Sequence, residues 1–153
     1  MNRKEWLAQV KEEIIEPDLP ICDPHHHLWD TPTDRYLLDE ILEDTNGGHN
    51  IVSTVFVECN SMFRAGGPEA LKVIGETEFV QGIAAMSASG KYGNTRVANG
   101  IVSHADLTLG ADVRQYWKRI LLPAIIDSKV LGMPPDGTRI ALSETPIQTR
   151  RNT

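Results

Sequence analysis

Only two cysteines occur in 153 residues, Cys22 and Cys59. Each sits in an apolar, strand-like run, so they read as buried thiols of a reducing compartment and not as a disulfide framework. Nor do they form a pair of zinc-ribbon type. Basic residues are also scarce: 15 Lys and Arg against 21 Asp and Glu leave a formal charge of −6. That excludes a general binder of nucleic acid or of anionic membrane, which would show a basic patch or stripe. Long hydrophobic runs are missing. The opening, Met1 to Glu16, mixes charge with isolated apolar residues and lacks the apolar core of a signal peptide, and nothing later is long enough to span a bilayer. There is no glycine-rich phosphate loop and no Ser-His-Asp order. A soluble, cytoplasmic protein of one domain with a real core is expected.

What is there begins with a helical stripe. Asn2 and Glu5 have the spacing of an N-terminal capping pair, and Trp6, Val10 and Ile14 recur every four residues before Pro17. This predicts an N-terminal helix within residues 1–18. Leu19 to Asp23 is a short first strand. Residues 30–50 form a polar connection with a helical turn or two around Tyr36 to Leu42, broken at Gly47-Gly48. Ile51 to Val57 is β-branched and apolar on both faces, which suits a parallel sheet. Pro68 sits well at a first helical position, and Glu69 to Ala85 reads as helix, weakened by Gly75 and Gly82. Residues 87–99 are small and polar, hence loop or helix start. Gly100 to Leu107 is a third strand, with His104 and Asp106 at its end. The alternation of helices and strands predicts an α/β protein with a parallel sheet.

The feature with most chemical content is Asp23-Pro24-His25-His26-His27-Leu28-Trp29-Asp30. Alternate residues of a strand point the same way. Asp23, His25, His27 and Trp29 would then share one face, with His26 on the other. Two imidazoles on one face can grip one divalent metal ion. The competing reading is an incidental three-histidine run with weak surface affinity. Two ligands alone do not hold a metal tightly, since catalytic zinc usually has three protein ligands plus water.

This segment resembles the first-strand signature of the amidohydrolase-related family, within the amidohydrolase superfamily. The stretches Gly66-Gly67-Pro68-Glu69-Ala70-Leu71, Gly75 to Val80, Gly82 to Ala85, Gly100 to Val102 and His104 to Gly110 are also similar to members of it. The resemblance covers residues 19–113. It implies a (β/α)8 TIM barrel, with active sites at the C-terminal ends of the strands. It also implies metal-assisted hydrolysis of a small cyclic ester or amide, as a lactonase performs, or decarboxylation of a small carboxylic acid. His25 and His27 would be metal ligands, zinc being the expected ion. Such a barrel needs about 250 residues. This chain supplies about the first three strand-helix units, and no positions match the family's later ligands. The expected fold is therefore an incomplete barrel with an irregular C-terminal tail, and the expected protein a truncated hydrolase or an inactive fragment. An incomplete sheet would leave an edge open to self-association.

Other candidate residues have two readings each. Asp23 either orients an imidazole or serves a turn or cap. Trp29 either floors a substrate pocket or packs in the core. Glu58 and His104, at the ends of strands two and three, either contact substrate or are satisfied structural polar groups. Arg64 either pairs with a substrate carboxylate, for which its fork is suited, or is a solvated loop cation.

Past Val113 the character changes. Residues 114–153 hold four of the nine prolines and show no clear period. A slip of reading frame explains this. Starting at the third base of the Gln115 codon, permitted codons re-read the chain to Arg139 as ILEAHIAAGNNRFKGIRHATGWDA without a stop. That string has a helix pattern, a Gly-Asn stop and a basic strand. A genuine, divergent and frayed tail is the alternative.

Overall fold

The structure, a computed structural model, describes residues 5, 6, 8–114 and 118. Its centre is a three-stranded parallel sheet of β1 (Ile21–His26), β4 (Ile51–Val57) and β5 (Arg96–Val102), in the order β1-β4-β5. A separate two-stranded antiparallel ribbon joins β2 (Trp29–Asp30) to β3 (Arg35–Tyr36). Helix α1 (Leu38–Thr45) follows the ribbon, and helix α2 (Ile74–Ala88) lies between β4 and β5.

The core gathers on the sheet face that carries Phe56, Val97 and Ala98. Leu38 and Ile41 come from α1, Val80 and Ile83 from α2, and Leu28 from the turn after β1. Residues 38, 41 and 45 of α1 recur at helical spacing and make its buried stripe. The stripe of α2 is unusual in carrying polar groups; Glu76, Thr77 and Ser87 each have a partner, whereas the buried Gln81 Nε2 has none among the described residues. Glu76 accepts from the backbone N–H groups of Cys59 and Ser61, at 3.0 and 2.7 Å. Thr77 Oγ1 meets Ser103 Oγ at 2.8 Å. Ser87 Oγ donates to the Thr95 carbonyl and accepts from Val97 N–H, both at 2.9 Å. The helix is thus tied to the sheet by hydrogen bonds at both ends and by apolar contact between them.

Several expectations need correction. Among the described residues no closed barrel forms: the α/β reading and the parallel sheet hold, but the incomplete TIM barrel does not. The described chain is a small open sheet with an added antiparallel ribbon. Closure requires the two outer strands to pair with each other, and three strands cannot curl far enough for that. Of the expected N-terminal helix, Glu5–Trp6 is helical, Ala8–Gln9 is a turn, and residues 10–14 are not helical. Trp6 and Val10 are 61% and 71% exposed, so these two positions of the stripe are uncovered. The first strand starts and ends later than expected and takes in His25 and His26. The third strand comes earlier, at Arg96–Val102, where Ser87 holds its start through the Thr95 carbonyl and Val97 N–H. The helix expected from Glu69 is broken into a 3-10 turn at Glu69–Leu71 and α2 proper. Cys22 is exposed, not buried, because β1 is an edge strand; Cys59 is half-buried. The tail beyond Arg114, Lys118 apart, lies outside the described residues, and with it the frame-slip expectation. Among the described residues no helix is long and apolar enough to cross a membrane.

Candidate metal site

β1 is apolar at its start and carries the histidines at its end, beside the ends of β4 and β5. His26 pairs with Phe56 in register and turns into the sheet's buried face. Its Nε2 lies 2.9 Å from Thr54 Oγ1. Thr54 also accepts from Ala98 N–H at 2.9 Å; because His26 Nδ1 faces the His27 carbonyl at 3.4 Å and donates there, Nε2 of the neutral ring accepts the Thr54 proton. Burial pushes His26 below the usual imidazole range, an effect opposed in part by its bond to the His27 carbonyl and by Asp23. It is held neutral and structural.

His25, within β1, turns the other way by strand alternation, and His27, the first residue past the strand, stands beside it. Their Nε2 atoms are 3.2 Å apart, with the rings edge to face at 89°. Two imidazole nitrogens bound at 2.0–2.1 Å to one tetrahedral zinc would be about 3.3 Å apart. The observed separation is close to that value, and it is also that of a hydrogen bond between the two rings. His27 Nδ1 donates to the carbonyl oxygen of Val57 at 2.7 Å. A carbonyl can only accept, so the ring proton is on Nδ1 and Nε2 presents its lone pair. This is the tautomer a metal needs, set by a partner behind the ligand. The short Nε2 contact then makes His25 the donor in the absence of a cation.

The remaining candidates are distributed along the same end of the sheet. Glu58 and His104 approach each other, His104 Nδ1 being 3.8 Å from Glu58 Oε1. Among the described residues no three His, Cys, Asp or Glu side chains gather into one metal-holding group, so the two pairs remain two pairs. Asp23 Oδ1 accepts from the backbone N–H of His25 at 3.1 Å, the turn role and not the imidazole-orienting one. Trp29 lies in the ribbon, where it stacks on Tyr36 and donates to Asp34 at 2.9 Å. Strand alternation does not carry as far as Trp29, because β1 ends at His26. Arg64 is bound by Glu78 through two hydrogen bonds, which hold the Glu78 carboxyl below its usual range. A cleft of about 530 Å³ lies at the opposite end of β1, between residues 12–16, Leu19, Ile21 and His49, and includes none of the candidate residues.

Sequence reading missed Glu76, which is 2% exposed, and Thr54. Thr54 is polar inside the mostly apolar run Ile51 to Val57, which was an available signal; Glu76 stands among Gly75, Thr77 and Glu78, which give none. Comparison of the chain with family models, with curated proteins and with solved structures found no match.

Proposed function

We propose that this chain presents a two-imidazole grip for a divalent metal, zinc first, and that its parent activity is metal-assisted hydrolysis of a small cyclic ester or amide. The observation that supports the reading is the 3.2 Å separation of the His25 and His27 Nε2 atoms, with His27 in its metal-ready tautomer. A cation held there would polarise a scissile carbonyl and make water acidic enough to attack near neutral pH. His25 and His27 bind, and the Val57 carbonyl orients His27. Glu58 and His104, on the next two strand ends, are the side chains we assign to a polar group of a small substrate, with Trp29 at the margin. No residue is assigned as proton donor or acceptor in the reaction. The family behind this reading is the amidohydrolase-related one suggested by the first-strand motif. The acidic charge and free thiols support a cytoplasmic location.

The test is calorimetric titration of the purified chain with zinc, followed by a screen of lactones and cyclic amides. One equivalent bound by the wild type, and none by His25→Ala or His27→Ala, supports the site. Equal binding by all three removes it. Carbon dioxide released from a carboxylated substrate would move the activity to decarboxylation.

A second reading, that the chain as written is an inactive fragment, is supported by the uninterrupted re-reading of residues 115–139 in a shifted frame. Resequencing from codon 105 onward tests it. A one- or two-base slip near codon 114 supports it; an unchanged frame together with turnover lost in His25→Ala removes it.

A further inference from the structure

Glu76 is a buried carboxylate that the proposed chemistry does not use. It stands in the first turn of α2, 2% exposed. One of its oxygens, Oε1, accepts from both Cys59 N–H (3.0 Å) and Ser61 N–H (2.7 Å). The residue between them, Asn60, has φ +62°, a left-handed turn that asparagine adopts more readily than other side-chain-bearing residues. It brings the amides on either side of it round to the same Glu76 oxygen. A bent loop begins where β4 ends, and its Cys59 and Ser61 amides converge on one oxygen.

The loop starts next to the peptide group that sets His27. The Val57–Glu58 peptide is gripped on both sides: its carbonyl accepts from His27 Nδ1 at 2.7 Å, and its N–H donates to the Val102 carbonyl at 2.9 Å. Cys59, the first residue held by Glu76, follows directly. The Cys59 thiol reaches back to the Leu28 carbonyl at 3.4 Å, beside His27. Rotation of the Val57–Glu58 peptide would take the carbonyl off His27 and free its tautomer. The amides at positions 59 and 61 are what resist that rotation from the loop side. Val102 resists it from the sheet side.

We propose that Glu76 is a positioning residue for the His25–His27 site: its carboxylate fixes the Cys59–Ser61 loop, so that the Val57 carbonyl keeps His27 protonated on Nδ1 and open to metal on Nε2. This rests on the metal reading above for its consequence, but not for its geometry.

Nitrogen-15 NMR of the histidine rings in the metal-free chain tests the geometry directly. The wild type should show His27 as one Nδ1–H tautomer. Glu76→Gln keeps an oxygen at the same reach and should keep both the tautomer and a zinc affinity within about twofold of wild type. Glu76→Asp withdraws the oxygen by one carbon, and should give a mixture of tautomers and a zinc affinity lower by about tenfold, as loss of a partner behind a ligand typically does. Val80→Ala, a core change of similar thermal cost, should move neither. A folded Glu76→Asp chain with wild-type tautomer and affinity overturns the proposal. So does a tautomer change of the same size in Val80→Ala. A measurement on the wild type alone guards against an unfolded variant. Coupling is reciprocal, so zinc must slow hydrogen exchange at the Cys59 and Ser61 amides if their contact positions His27. Unchanged exchange on zinc binding overturns it. A wild type that binds no zinc fails the metal reading, and the tautomer comparison then decides the positioning role by itself.

Discussion

Thr54 Oγ1 lies 2.9 Å from His26 Nε2, and this one buried oxygen joins all three strands of the parallel sheet, because it also accepts from Ala98 N–H at 2.9 Å. Ala98 has φ +52° and sits where the β4–β5 register slips between Ser53 and Val55. The hydroxyl replaces the ladder bond that the slip removes. Thr54→Val keeps the shape and deletes the hydroxyl. Two buried groups are then unpaired, at roughly 1–3 kcal/mol for each. Urea unfolding should show the loss, and a change below about 0.5 kcal/mol would show that the slip is tolerated without the hydroxyl.

Two glycines of α2 should respond in opposite directions to alanine. A Cβ on Gly75 would lie 2.6 Å from both the Arg64 nitrogen and the Met62 oxygen, which are backbone atoms of the loop after β4. Gly75→Ala should therefore lower stability by about 1–3 kcal/mol, the usual range for overpacking. A Cβ on Gly82 meets nothing within 4 Å. Gly82→Ala should raise stability by about 0.4–1 kcal/mol through helix propensity and a less free unfolded chain. Thermal melts of the pair measure both signs.

These positions show how far the sequence could be read. The run Ile51 to Val57 was legible as a parallel strand because β-branched residues on both faces have few other uses, but it is not covered on both sides: only Thr54 and Phe56 are buried, and Val52 is exposed. The opposition of His26 to His25 was legible from strand alternation. The N-terminal stripe misled, because periodicity reports a face and not whether anything covers it. Gly75 read as a weakness in a helix, whereas it is the place where loop backbone meets helix backbone. Ser87, Thr95 and Glu76 read as polar loop or helix surface. Their burial depends on partners 8 to 17 residues away, which no local pattern reports. The antiparallel ribbon of Trp29–Asp30 and Arg35–Tyr36 is two residues long on each side, too short to leave a period.

The two thiols should differ in reactivity. Cys22 is exposed, whereas Cys59 is half-buried and donates to the Leu28 carbonyl. Burial pushes the Cys59 thiol up, and the nearby Glu76 adds to this. A raised pKa leaves less thiolate at any given pH, and the thiolate is the nucleophile. Alkylation by iodoacetamide at neutral pH should label Cys22 first, with Cys59 gaining rate only as the pH is taken above the ordinary thiol range. Mass spectrometry of partly labelled protein reads the order, and equal labelling would show that the β4 end opens readily.

Both outer strands, β1 and β5, present one unpaired edge among the described residues. β1 is protected by Pro24 and by register shifts on either side of Cys22 and Asp23. β5 carries Val102, 49% exposed, at its end. Self-association should run through β5. Val102→Lys places a charge on that edge and should shift the weight-average mass from sedimentation toward monomer. The same mass distribution in wild type and variant would assign any association to another surface.

The metal prediction separates ligand from scaffold at neighbouring residues. A ligand that binds only the folded chain stabilises it by about 1.4 kcal/mol when its free concentration is tenfold above Kd. Zinc should therefore raise the melting temperature, and a chelator should reverse the rise. His25→Ala and His27→Ala should both abolish the zinc effect, since each removes half of a two-point grip. Only His27→Ala should also lower stability without metal, because His27 Nδ1 is the donor to the Val57 carbonyl, whereas the His25 ring is exposed and its ring contact is with His27. Bound metal requires both Nε2 lone pairs, so protons compete for the site, and the zinc-induced rise should shrink as pH falls. Melting with and without zinc across a pH series, for three proteins, gives the full comparison. A zinc effect retained by His25→Ala would leave His27 as an ordinary surface ligand and remove the paired grip on which the hydrolytic reading stands.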